Sequence, residues 1–270
     1  MTVFKYVEDK DVFQKFYSKM LAKRLVNDTS ASDDSEASMI SKLKESCGFE
    51  YISKLQKMFQ DMGTSKDLND AFKEAMDRTH SKDELLDFSI LVLSTASWPL
   101  QPPTSPFSIP AELLKTYERF TRFYENKYNG RKLNWLFHLC KGELKTGYLK
   151  ASKAGYTFQV SAYQMAILLQ YNTLTSYTWE ELLTSTGLNP DTLGGQLGNL
   201  VKAKVLLLAS GSTALGSSGS RYDLNPDFKS KKIRINLNMA VKAEQKAESE
   251  ETHKNVEEDR KLLIQVRDLM

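Results

Sequence analysis

Two cysteines, Cys47 and Cys140, and three histidines, His80, His138 and His253, are all that 270 residues offer of the common soft metal ligands. They lie far apart in sequence and neither cysteine has a Cys-x-x-Cys neighbour, so neither a disulfide framework nor a metal site is expected. A reducing cytosol or nucleus suits such a chain, with the thiols packed rather than reactive. No run approaches about 18 apolar residues, which excludes a transmembrane helix and argues against a membrane partner. The opening MTVFKYVEDK holds no apolar signal core, so secretion is not expected. The glycines of SGSTALGSSGS (210–220) lack a P-loop lysine and a following helix, and they read as a flexible connector. No GxSxG elbow is present. Acid pairs such as Asp33/Asp34 sit at a helix start, where the macrodipole accounts for them. An enzyme with its own active site, or with a cofactor, is therefore not expected. An excess of one charge is lacking too: 37 Lys+Arg stand against 34 Asp+Glu, which excludes a uniformly basic nucleic-acid binder.

What is present begins with helices. Val12, Phe13, Phe16, Tyr17, Met20, Leu21 and Leu25 recur at three- and four-residue spacing, and NDTSASDD breaks the pattern. Ser32 is the candidate N-cap of a second helix carrying Ile40, Leu43 and Cys47. After Gly48 the stripe resumes at Tyr51, Leu55, Met58, Phe59 and Met62, and a further helix is expected over Ser65–Met76. Residues 1–84 thus read as part of a helical bundle.

The pattern then changes. Leu86–Leu93 is short and apolar, as a buried strand is, and a proline-rich loop (98–110) follows. Leu113, Leu114, Tyr117, Phe120 and Tyr124 mark a helix over 110–130, expected to pack with the bundle. In 132–139, Leu133, Trp135, Phe137 and Leu139 alternate with Lys132, Asn134, Leu136 and His138, the period of a half-buried strand. Lys141-Gly142 is a candidate turn, with Leu144–Leu149 returning antiparallel and Tyr156–Val160 as a third strand.

Residues 161–228 run helix, helix, turn, helix and then two strands, a winged-helix order. Thr178 and Glu181 form a capping-box pair and Asn189-Pro190 opens the third helix. That helix offers Gln196 and Asn199 early, Lys202 and Lys204 late, and no arginine, a poor set for reading base edges. Packing against protein is favoured, and nucleic acid is not an expected partner; a winged-helix nucleic-acid-binding regulator is the alternative reading. A strand is expected in 229–242 and a helix over 243–270.

The near-neutral balance conceals segregation. Residues 229–242 carry Lys229, Lys231, Lys232, Arg234 and Lys242 with no acid, and the first helix carries Lys15, Lys19, Lys23 and Arg24 between Asp11 and Asp28. Residues 244–260 hold seven acids against three bases. Solvated faces or a basic groove for an acidic partner both fit this pattern.

Long strings carry a resemblance. Residues 10–62 (KDVFQKFYSKML to KMFQDM), 87–99 (DFSILVLSTASWP), 130–144 (GRKLNWLFHLCKGEL) and 253–265 (HKNVEEDRKLLIQ) resemble, in order, the C-terminal region of cullins, above all the SCF type. The resemblance implies an α+β fold: a helical bundle followed by an α/β domain (85–160) with a mostly antiparallel sheet, a winged-helix subdomain and a closing helix. It implies a non-catalytic scaffold of a ubiquitin ligase. Its expected partners are a zinc-carrying RING-box protein, the ubiquitin-conjugating enzyme that this recruits, and an exchange factor that sequesters cullins, in cytoplasm and nucleus.

On this resemblance the RING-box protein adds a strand to a sheet containing Phe88, Ile90, Leu133, Trp135, Phe137 and Leu139. An acidic tail of the conjugating enzyme is expected at Lys23, Arg24, Lys231, Lys232 and Lys242. Cullins continue past LLIQ with a lysine that accepts a ubiquitin-like modifier. Here Gln265 is followed by Val266-Arg267-Asp268-Leu269-Met270, so a cullin lacking the second winged helix and the acceptor lysine is expected, with Lys261 not standing in for it.

Overall fold

Local sequence chemistry sets the first helices of the computed structural model, which describes residues 3–30, 32–78, 86–101, 103, 105–149, 155–209 and 216–238. α1 (Lys10–Asn27) stops where Asp28 turns left-handed at φ 53°. α2 (Asp33–Cys47) starts at Ser32, whose hydroxyl accepts from the Ser35 N–H at 3.3 Å, with Asp33, Asp34 and Glu36 at its positive end. Gly48, at φ 86°, reverses the chain and bonds back to Lys44 O. α3 (Phe49–Arg78) then runs without a break, where the sequence suggested two helices. Gly63 is exposed, and its propensity cost of about 1 kcal/mol is outweighed by a continuous buried face at Ile52, Leu55, Met58, Leu68 and Phe72.

The chain divides into two units, the first built on residues 1–101 and the second on residues 102–245. In the first, Leu21 and Leu25 of α1, Ile40 and Leu43 of α2 and Ile52, Leu55 and Met58 of α3 share one core with Phe4 and Trp98. Of the stripe expected on α1, Leu21 and Leu25 are buried and Phe13 and Tyr17 pack against this core, whereas Phe16 and Met20 are exposed and Ala22 takes an inner position instead.

In the second unit α4 (Ala111–Lys127) lays its aromatic face, Tyr117 and Phe120, against Trp135 at 4.4 and 6.2 Å between ring centroids. The helix expected to pack with the bundle thus belongs to the second unit. β1 (Lys141–Lys145) pairs antiparallel with β2 (Thr157–Ser161), and β2 pairs parallel with β6 (Arg234–Asn236). Lys141-Gly142 is therefore strand, not turn. Gly142 lies opposite Val160, and a Cβ on it would overlap Met165 Cε, so glycine serves close packing there.

Three helices and the two expected strands form in the order read, with one further strand, β3, that the sequence did not show. α5 (Ala162–Gln170) starts with a capping box of Ser161 and Gln164. β3 (Ser176–Thr178) leads into α6 (Trp179–Thr186), capped by Thr178 and Glu181. α7 (Pro190–Lys202) starts at Asn189, whose side chain accepts from Thr192 N. β4 (Leu206–Leu208) and β5 (Arg221–Leu224) complete a sheet ordered β3-β5-β4. Ile167, Leu182, Leu193, Leu197, Leu200 and Tyr222 are fully enclosed at its centre. Together the units give the expected α+β class. The helix expected over 243–270 and the middle of the wing loop lie outside the described residues.

Candidate functional site

Residues 86–94 are extended but form no strand, which corrects the expectation for Leu86–Leu93. Their partner is a helix. Asn69 brackets Ile90, accepting from its N–H at 2.9 Å and donating to its carbonyl at 2.8 Å. Ser65 Oγ accepts from Val92 N–H at 2.8 Å, and Asp61 Oδ2 accepts from Ser94 N–H at 2.7 Å. Four residues of helix rise about 6 Å and two of extended chain about 6.6 Å, so positions 69, 65 and 61 keep step with 90, 92 and 94. Phe88 continues the register edge-on to Phe72 at 6.1 Å.

Asp61 anchors the ladder. Burial works against its charge, but bonds from Ser94, Trp98 Nε1 (2.9 Å) and Lys57 (3.1 Å) outweigh it and hold the carboxyl below its ordinary value. These three polar residues were missed in the sequence. Their signal was there: Asp, Ser and Asn at i, i+4 and i+8 on an otherwise apolar helical face.

In an extended chain alternate residues aim their N–H and C=O groups at opposite edges. The N–H groups of Ile90, Val92 and Ser94 are spent on α3. Among the described residues, the backbone groups of Ser89, Leu91 and Leu93 have no hydrogen-bond partner. This leaves one apolar edge with its main chain open.

The second predicted strand, Lys132–Leu139, is also not a strand. Its alternation is real: Leu133, Trp135, Phe137 and Leu139 are half-buried, with Trp135 and Phe137 stacked 6.1 Å apart and Phe137 on Phe107 at 5.1 Å. A 3-10 turn over Phe137–Leu139 ends the extended run, and side-chain packing on α4 replaces a ladder. Among the described residues no backbone N–H of 131–136 has a hydrogen-bond partner.

The basic candidates fall in different states. Arg24 is engaged within the first unit: its Nε and Nη2 bond Glu36 at 2.6 and 3.0 Å, and Tyr17 and Ser30 donate to the same carboxylate. Lys23, next to it, is exposed. Lys231 and Lys232 are exposed and, among the described residues, unpaired, whereas Arg234 pairs with Glu143. Lys242 lies outside the described residues. In α7, Gln196 meets Ser161 Oγ at 3.4 Å, so one of the two early polar positions is turned to its own fold. Among the described residues no three His, Cys, Asp or Glu converge, and no helix is long and apolar enough to cross a membrane.

Residues 92–228 match the cullin alpha+beta domain and residues 1–69 the cullin alpha solenoid domain. The chain is 54% identical over 263 residues to Cullin-1 of Schizosaccharomyces pombe, covering 97% of this chain and 34% of that protein. It is 52% identical over 269 residues to Cullin-1 of Dictyostelium discoideum, covering 98% and 34%. To Cullin-4A of Mus musculus it is 36% identical over 266 residues, again 98% and 34%. The chain thus spans about a third of the length of these relatives. With the alpha+beta match alone taking in half of it, the chain belongs to the cullin family.

Proposed function

We propose that this chain is the partner-holding part of a non-catalytic ubiquitin-ligase scaffold. It grips a RING-box protein by strand addition, and that zinc-bearing partner brings a charged ubiquitin-conjugating enzyme. Family membership supports the general role. The observation that carries the specific reading is the extended segment 88–94, fixed along one edge by Asp61, Ser65 and Asn69 while Ser89, Leu91 and Leu93 keep the other edge open. Pre-ordering by α3 lowers the entropy an incoming strand must overcome, and main-chain bonds then supply affinity. Leu133 and Trp135 belong to a second extended stretch with unused backbone donors.

Lys231, Lys232 and Lys23 are the basic groups proposed to attract an acidic tail of the conjugating enzyme, with Lys242 as a further candidate. Arg24 is better assigned to holding α2, because Glu36 already neutralises it. An exchange factor that sequesters cullins is a further proposed partner, and cytoplasm and nucleus the proposed location. The test is co-expression with a RING-box protein, followed by an assay for free ubiquitin chains with activating and conjugating enzymes. Co-purification and chain formation support the reading. A chain that stays soluble and alone, or that binds DNA in a salt-dependent manner instead, contradicts it.

A further inference from the structure

The loop between α1 and α2 brings a hydroxyl, a guanidinium and a carboxylate to one point. Glu36 Oε1 accepts from Arg24 Nε at 2.6 Å and from Ser30 Oγ at 3.3 Å, so Ser30 stands within two hydrogen-bond lengths of the arginine. Tyr17 donates to Glu36 Oε2 at 2.9 Å, and Arg24 lies over the Tyr17 ring at 5.5 Å. Ser30 is half-buried, while its neighbours Asp28 and Thr29 are exposed. Acids follow it at Asp33, Asp34 and Glu36, with Asp33 and Asp34 exposed.

We propose that Ser30 is a phosphorylation site for a serine kinase that selects acidic residues C-terminal to its target, and that Arg24 is the phosphate's receptor. The γ-phosphoryl group of ATP passes to Ser30 Oγ. The Oγ–P bond forms as the bond to the β-phosphate oxygen breaks, ADP leaves, and the hydroxyl proton goes to the kinase's base. The product places a group of charge about −1.5 to −2 where a neutral hydroxyl had donated to Glu36. Phosphate and Glu36 then compete for one guanidinium. The fork of Arg24 favours the phosphate, with more charge and three acceptor oxygens. The Ser30–Glu36 bond, whose donor proton is lost, becomes a repulsion. The tie between α1 and α2 is thereby re-made from Arg24–Glu36 to Arg24–phosphoserine, freeing the carboxylate beside Tyr17. The site is independent of the ligase reading, since every group in it lies on α1, α2 and their loop.

The experiment uses the full chain and a synthetic peptide of residues 26–38, each treated with ATP and an acid-directed serine kinase. Mass spectrometry maps the phosphate, and phosphorus NMR follows its second ionisation, ordinarily near pH 6. The expected result is phosphate on Ser30 of the folded chain, titrating about 0.5–1 unit lower than in the peptide because Arg24 stabilises the dianion. In Arg24→Gln the midpoint returns to the peptide value. Should that variant fail to fold, the comparison of folded chain with peptide still decides. Phosphate on Ser32 or Ser35 with Ser30 unmodified, no phosphate on the folded chain, or equal midpoints in chain and peptide overturns the proposal.

Discussion

Across thirty-seven residues of sequence, the indole N–H of Trp98 donates to Asp61 Oδ2 at 2.9 Å, inside the first unit. The pair closes a short staircase of side chains that holds the segment 88–94 against α3, and it does so with a charge that is almost enclosed, Asp61 being 4% exposed. Remove the carboxylate and the Ser94 amide and the Trp98 indole lose an ionised acceptor together.

Asp61→Asn is therefore expected to cost about 2 kcal/mol in urea unfolding followed by circular dichroism. The pH dependence has a definite sign. The folded carboxyl titrates below its unfolded value near 4, so its stabilisation is complete above that value and fades as pH falls through the folded one. The wild type should lose stability on acidification below about pH 4 more steeply than Asp61→Asn. Parallel acid limbs would show that Asp61 is not the group responsible.

Glu36→Gln should move Tyr17. Burial first, and the Glu36 carboxylate second, raise the phenol well above its ordinary value. Removing the carboxylate lowers the midpoint of the ultraviolet titration assigned to Tyr17, without restoring the free value because burial persists. The same change should lower stability by about 1 kcal/mol, as suits a partly exposed pair. An unmoved Tyr17 midpoint would contradict the described geometry.

Gly155 and Gly142 should respond differently to alanine. At Gly155, with φ 67°, a Cβ meets backbone Thr146 O at 2.7 Å, and neither strain nor clash can be relieved cheaply. At Gly142 the obstruction is the flexible end of Met165. Thermal melts should show Gly155→Ala costing about 2 kcal/mol and Gly142→Ala about half as much. The reverse order would mean that Met165 has no room to turn aside.

Lys231→Glu with Lys232→Glu is expected to slow capture of an acidic-tailed conjugating enzyme several-fold at low salt, with the difference shrinking as salt rises. Stopped-flow association over a salt series measures it. A rate unchanged at every salt concentration would remove these lysines from the site.

Leu91→Pro and Val92→Pro separate the two edges of the segment. Proline at 91 removes an N–H from the open edge, and its neighbour Ile90 is already extended, as proline requires. It should abolish strand addition while leaving the fold intact by circular dichroism. Proline at 92 deletes the N–H that Ser65 accepts, and it should destabilise the unit itself. Equal partner binding by Leu91→Pro and the wild type would show that another surface is used.

Much of this architecture is legible wherever the signal is local. Ser32, Gly48, the Thr178/Glu181 box and Asn189-Pro190 place helix ends because caps and turns act within four residues. Leu86–Leu93 shows where such reading stops. Its apolar pattern correctly implies an extended chain, but a strand also needs a neighbouring backbone, and here Asp61, Ser65 and Asn69 supply the bonds. Lys132–Leu139 fails for the same reason, its aromatics satisfied by α4 rather than by a ladder. Lys141-Gly142 resembles a turn because glycine has two uses, and only Met165, far along the chain, tells which applies. Arg24 is a surface cation in the sequence and an internal tie in the fold, since its partner is set by how α2 returns on α1.

Amide hydrogen exchange of the chain with and without a RING-box protein tests the strand-addition account most directly. The expected result is an alternating pattern: Ser89, Leu91 and Leu93 exchange fast alone and slow at least about tenfold on binding, as newly bonded amides do. Ile90, Val92 and Ser94, already bonded to α3, are protected in both states. A RING-box protein that binds while Ser89, Leu91 and Leu93 remain as fast as before would contradict it.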